Sequence, residues 1–128
     1  MEFRSESPAS TTSVEVVEDV SDFYNQLSLY IQPSITEGFG IEVLEAMAHA
    51  RPVLCSDGAG ARDVVPAAMW FVRGDVADLA GALDTEKSMS GKQPDYLTNL
   101  GNSCREWASY YTWDKIRVHY QDLWRSVF

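Results

Sequence analysis

The 128-residue sequence has no run of about 20 apolar residues and no charged start leading into an apolar stretch, so neither a membrane-spanning helix nor a signal peptide is expected. Basic residues are scarce. Ten Lys and Arg stand against 19 Asp and Glu, and the formal charge of −9 argues against a nucleic-acid partner or an anionic membrane surface, since both need clustered cations. Cysteine is limited to Cys55 and Cys104, widely spaced and without a C-x-x-C pair, which argues against a disulfide framework and a structural zinc site. Cys55, inside Val53-Leu54-Cys55, reads as a small buried residue of a strand. His49 and His119 have no evident partners in sequence, and no nucleophilic triad stands out. Gly58-x-Gly60 lacks a third glycine, Asp63 holding that position, so a dinucleotide fingerprint is not supported. What is left is a cytoplasmic globular protein whose 45% apolar content suffices for one domain with a modest core.

Along the chain, residues 1–13 are polar and aperiodic and read as a flexible leader, with a single domain over 14–128. Strand-like runs at 14–17, 29–32, 52–55 and 69–72 alternate with helical patterns. Those helices are predicted after a cap at Asp19 or Ser21, from Gly40, and over 61–65. The alternation predicts an α/β fold, a parallel sheet with right-handed crossovers. Further helices are predicted over 75–87, 95–110 and 113–127, with a Gly/Pro/Ser linker at 88–94. In the last helix Trp113, Ile116, Tyr120, Leu123, Trp124 and Val127 form an apolar face expected to pack in the core.

The most informative stretch runs from Leu29 to Ala48. Leu29-Tyr30-Ile31 is β-prone and stops at Pro33, and Gly38 and Gly40 let the backbone turn and approach a ligand closely. A helix starting near Gly40 would turn its free N–H groups and positive dipole end toward that loop, which favours a phosphate or pyrophosphate. Glu37 and Glu45, eight residues apart, cannot bind that phosphate because like charges repel, so they accept hydroxyl hydrogen bonds instead. Glu45 stands about 7.5 Å along the helix from the phosphate end, where a nucleotide ribose would fall. Glu37 in the loop is placed for a sugar beyond the diphosphate. On the helix only Glu42, Glu45 and His49 are polar, a stripe that reads either as a ligand-facing edge or as a merely solvated one with dipole-complementing carboxylates.

Taken whole, Pro33-Ser34, Glu37 to Gly40, Glu45 to Ala48, Pro52-Val53, Ser56 and Gly60 resemble the C-terminal domain of GT-B retaining glycosyltransferases of glycosyltransferase family 4. Weaker similarity extends through Asp22-Phe23-Tyr24-Asn25, Gly74-Asp75 to Leu79 and Thr112-Trp113, over roughly residues 14 to 127. The resemblance implies a partial Rossmann-like sheet that binds a nucleotide diphosphate sugar as donor, with no metal and no other cofactor. Its site residues, carried over position by position, are Glu37 as the catalytic-site carboxylate beside the donor sugar, the amides of Gly38, Phe39, Gly40 and Ile41 for the diphosphate, and Glu45 for the ribose. No Asp-x-Asp occurs, which fits metal-independent chemistry with leaving-group charge stabilised by amides and cations.

Departures from the family pattern also carry expectations. Arg51 follows Ala50 where the family has Gly, Ala59 replaces a turn Gly and would be strained at positive φ, and Asp63 replaces a Glu. The family's Arg and Lys for the donor diphosphate, and the acceptor-binding N-terminal domain, have no counterpart here. Arg51 and Arg62 are the nearest cations in sequence, and both read as surface ion-pair residues. Two strands of the family's sheet are also missing, so an edge either pairs with strand 14–17 or stays open to a homodimer or a separately supplied half-domain. Three functional classes follow. They are the donor-binding portion of a split or longer transferase inactive alone, a non-catalytic binding or assembly subunit, and a glycoside hydrolase, whose paired carboxylates need a cleft these positions fit poorly.

Overall fold

The computed structural model describes residues 16–128. The leader at 1–13 and the first half of the candidate strand 14–17 lie outside the described residues, and Val16 and Val17 belong to no strand. Helix α1 (Val20–Asn25) is capped by Asp19, whose carboxylate accepts the Ser21 amide at 2.8 Å. Strand β1 (Tyr30–Gln32), helix α2 (Ile41–Ala48) and strand β2 (Val53–Ser56) follow, then 3₁₀ turns at Gly60–Val64 and Ala67–Met69. The short helix expected at 61–65 is the first of these turns. Strand β3 (Trp70–Phe71) and helices α3 (Val76–Lys92), α4 (Tyr96–Ala108) and α5 (Trp113–Val127) complete the chain, with a 3₁₀ turn at Ser109–Tyr111 before α5.

The sheet is parallel, in the order β1-β2-β3, with Tyr30 opposite Val53 and Cys55 opposite Trp70. All four β2 residues are buried because both faces of this central strand are covered, which is why it reads as a continuous apolar run. Val43, Ala46 and Met47 of α2 pack with Val53, Leu54 and Cys55 and with Cys104 of α4 in one core. Cys55 and Cys104 are free thiols, and burial pushes each up to about 11.

Three expectations are corrected. The linker placed at 88–94 is helical to Lys92, because Gly91 and the serines cost a helix only about 1 kcal/mol or less each while Leu79, Ala82 and Leu83 anchor it to the core. Pro94 is the true stop. Ala59 is extended at φ −92°, so no strain arises there; the strained residue is Ala50, at φ +56°. Ala50 occupies the left-handed position after α2, where its amide reaches Met47 O at 2.9 Å and the Arg51 amide reaches Ala46 O at 3.0 Å, a helix stop that usually employs glycine. Finally, the apolar face of α5 is not core: Ile116 is half-buried and the other five residues are exposed, as is Phe128 after them.

Candidate functional site

The loop between β1 and α2 sits at the carboxyl end of the parallel sheet, where open α/β folds bind ligands. It is docked backbone to backbone on the loop after β2. The Ser56 hydroxyl donates to Ser34 O, the Glu37 amide donates to Gly58 O at 3.1 Å, and the Ala61 amide donates to Phe39 O at 2.6 Å. A Cβ on Gly60 would collide with the Gly38 carbonyl, so the glycine there is a condition of close approach rather than of turn geometry. Gly40, at φ +83°, then caps α2 without a side-chain hydrogen bond; the Val43 amide donates to Gly40 O at 3.0 Å, and the Ile41 and Glu42 amides are left without an intrahelical acceptor or a side-chain cap.

Glu45, one turn into α2, is half-buried and accepts the Tyr24 hydroxyl on Oε2 at 2.8 Å. Burial and this carboxylate push the Tyr24 phenol well above its ordinary value. Burial also pushes Tyr30 up to about 12, assisted by the charges of Glu42, Glu45 and Glu37. Tyr30 donates to Gln32 Oε1 at 2.5 Å, and Gln32 donates to Ser34 Oγ at 2.9 Å, linking the strand to the loop.

Glu37 and Glu45 nevertheless line different depressions. Glu37 borders one of about 220 Å³ together with Asp57, Gly58, Arg62 and Arg73; Glu45 borders an apolar groove of about 500 Å³ between α2 and α5. Phe39 and Ile41, from the segment expected to hold the diphosphate, also line the groove.

Arg73 had no signal in the sequence and proves to be the main brace of the Glu37 side. Its amide and Nε both donate to Asp57 Oδ1, at 2.9 and 3.0 Å, and its guanidinium also reaches the Asp57 and Ile35 carbonyls. The Arg73 amide first, and then its guanidinium, hold the Asp57 carboxyl below its ordinary range. Arg62 donates to Asp57 O at 2.7 Å and lies 3.7 Å from Asp63. Arg51 is elsewhere: it donates to Leu27 O and His49 O, fastening the turn after α1 to the end of α2 rather than forming the expected ion pair.

His49, expected to be without partners, has two. Its Nδ1 lies 2.7 Å from Glu45 O and its Nε2 3.1 Å from Ser21 Oγ, while its ring stacks on Tyr24. Of the polar stripe, His49 is therefore structural, and Glu45 is the carboxylate that also faces a cavity. Tyr24 and Tyr30 were missed as site residues; the signal available was their position on the segment leading into Pro33. Among the described residues no group of three or more His, Cys, Asp or Glu side chains is arranged to hold a metal, and no helix is long and apolar enough to cross a membrane.

Comparison with known proteins bears on the family and the fold. The family model for glycosyl transferases group 1 matches residues 5–85. A D-inositol 3-phosphate glycosyltransferase from Gordonia bronchialis is 34% identical over 98 residues, 74% of this chain and 20% of that protein. A sulfoquinovosyl transferase from Arabidopsis thaliana is 28% identical over 112 residues, 83% of this chain and 21% of that protein. Among solved structures, a sucrose-phosphate synthase from Thermosynechococcus elongatus has a TM-score of 0.69 at 26% identity, over 83% of this chain and 27% of that one. The chain spans about a fifth of the length of these curated relatives. The matched segment contains the whole Glu37 loop and helix α2, and the chain belongs to the glycosyl transferases group 1, with the α/β fold of the C-terminal part of a GT-B enzyme.

Proposed function

We propose that this chain is the donor-binding portion of a retaining, metal-independent glycosyltransferase that moves a sugar from a nucleotide diphosphate sugar to an acceptor in the cytoplasm. The observation that carries this reading is the uncapped start of α2 on left-handed Gly40, with Glu45 one turn along and steadied by Tyr24. Oriented amides and the helix dipole favour the diphosphate. Glu45, whose Oε2 is taken by Tyr24, offers Oε1 to the ribose hydroxyls about 7.5 Å further along the helix. Glu37 serves a donor-sugar hydroxyl at the reacting end, and the Asp57–Arg73 pair braces the loop that presents it.

Transfer itself needs groups supplied from elsewhere, either from the rest of a longer polypeptide or from a partner chain that also completes the sheet beside β1. An acceptor site and cations for the diphosphate belong to that missing part. On this reading the chain alone binds donor and does not turn it over. A non-catalytic binding or assembly subunit is the second reading. It is favoured by the engagement of Arg62 and Arg73 with Asp57, which leaves neither free to swing toward a diphosphate without breaking that network.

Calorimetric and thermal-shift titrations with UDP, GDP, ADP and their sugar conjugates decide between the two, run in parallel on Glu45→Ala. Selective stabilisation by one nucleotide, lost in the variant, is the expected result and names the base. Absence of any heat or shift at millimolar ligand would remove the donor reading and leave assembly.

A further inference from the structure

Tyr24, in the last turn of α1, is 3% exposed and held on every side. Its ring meets Phe23 and Tyr30 edge-on, at centroid separations of 5.3 and 5.9 Å, and stacks on His49 at 5.1 Å. His49 is pinned in turn, by Glu45 O at its Nδ1 and by the Ser21 hydroxyl at its Nε2. The locked ring aims the Tyr24 hydroxyl at Glu45 Oε2, to which it donates at 2.8 Å. Burial first, and then the Glu45 carboxylate, keep the phenol protonated, so it stays a donor.

A buried phenol needs an acceptor whatever its role. Here the acceptor is the carboxylate that also lines the groove beside α2, where a backbone carbonyl would have satisfied the hydroxyl as well. Among the described residues no other hydrogen bond holds the Glu45 side chain, so the orientation of its head group comes from Tyr24. An unheld Glu loses its rotamer freedom only when a ligand arrives, and that cost weakens binding. One held beforehand has lost it already on folding. With Oε2 engaged from the α1 side, Oε1 is the oxygen presented to a ligand.

We propose, on the donor reading above, that Tyr24 is a positioning residue for ribose recognition. It holds the Glu45 carboxylate in the orientation that accepts the ribose hydroxyls, and so sets how strongly the chain prefers a ribonucleotide over one that lacks them. Tyr24 acts through Glu45 and not on the ligand itself. Its influence is confined to the ribose, because the diphosphate lies on the free amides at the start of α2, one turn away. Without the phenol oxygen Glu45 is free to swing, and the ribose hydroxyls must then order it on binding, while the diphosphate contacts stay as they were.

Calorimetric titration of the 128-residue chain with UDP, GDP and ADP, each beside its 2′,3′-dideoxy form, reads the ribose contact as a ratio of dissociation constants. The parent is expected to prefer the ribonucleotide it binds by at least about tenfold, the worth of a hydrogen bond to a charged group. In Tyr24→Phe that ratio is expected to fall by about three- to tenfold, with the affinity for the dideoxy form within about twofold of the parent. In Glu45→Ala the ratio is expected to be near unity, and adding Tyr24→Phe to that variant is expected to change nothing further. A merely structural hydroxyl would weaken both nucleotides alike through stability and leave the ratio where it was. If Tyr24→Phe fails to fold by circular dichroism, His49→Leu, which removes the stack behind the ring, takes its place with the same expectation. An unchanged ratio in the folded variant overturns the role of Tyr24 and leaves the donor site standing. Nucleotide binding without any preference for the ribose form overturns it as well, together with the role of Glu45. No binding of any nucleotide overturns both this role and the donor reading.

Discussion

Helices α2 and α5 are both amphipathic, yet one is packed between the sheet and α4 and the other is nearly unsupported. Short α2 buries Val43, Ala46 and Met47, stands against β1, β2 and α4, and is tied to α1 through Tyr24, His49 and Arg51. Longer α5 buries no residue at all. Periodicity shows that a face wants cover. It does not show what provides the cover, because that depends on chain distant in sequence or on another molecule.

Substitutions at the two helices sharpen the contrast most. Met47→Ala, at a fully buried position, is expected to cost about 2–5 kcal/mol in urea unfolding, whereas Trp124→Ala should change the stability of the monomer by about 0.5 kcal/mol or less. Equal effects would erase the distinction. Next in size is Gly60→Ala, where the added methyl meets the Gly38 carbonyl. A loss of about 2–3 kcal/mol is expected, together with loss of any nucleotide-induced shift, because the whole Glu37 loop must move.

Alkaline pH tests the same region by titration. Burial raises Cys55 and Cys104 to about 11 and Tyr30 to about 12, and all three groups lie around the α2 core. The neutral form is the one the fold prefers, so the stability from the thiols is complete below about 9 and is lost as pH rises through 11. For Tyr30 the corresponding window runs from about 10 to 12. A urea midpoint that falls steadily above pH 9 is expected, and a flat profile to pH 12 would show these groups to be far more solvated than they stand here.

The last expected effect has the opposite sign. Ala50→Gly relieves the left-handed strain at the end of α2 and should stabilise by about 0.5–1 kcal/mol, measurable as a raised urea midpoint. A loss of stability there would mean that the packing of the Ala50 methyl outweighs the strain. Even the well-bonded half of the molecule therefore holds one position short of its optimum.

Much of the site could be read from residues close together in the chain. Pro33, Gly38 and Gly40 end a strand and start a helix by local backbone rules, and the three- and four-residue spacing of Glu42, Glu45 and His49 places them on one side of α2 wherever that helix sits. The stretch 88–94 was misread for a local reason as well: serine and glycine weaken a helix only slightly, and the core contacts of Leu79 and Leu83 outweigh them. Ala59 and Ala50 show a subtler limit. Both follow turn-like segments, and only the hydrogen bonds that close α2 on Met47 and Ala46 decide which one takes positive φ.

Sequence alone determined the parallel βα order, the Glu37 loop, the Gly40 helix start and the acidic, cysteine-poor character, because each follows from neighbouring residues or from composition. Only the tertiary structure decided that Tyr24 holds Glu45, that Arg73 braces Asp57, that Glu37 and Glu45 face separate depressions and that α5 stands uncovered. The first two outcomes join residues 16 or more positions apart, and the other two concern surfaces shaped jointly by elements distant in sequence. Contacts of that kind are set by how packed elements meet in space, which no local propensity or period encodes.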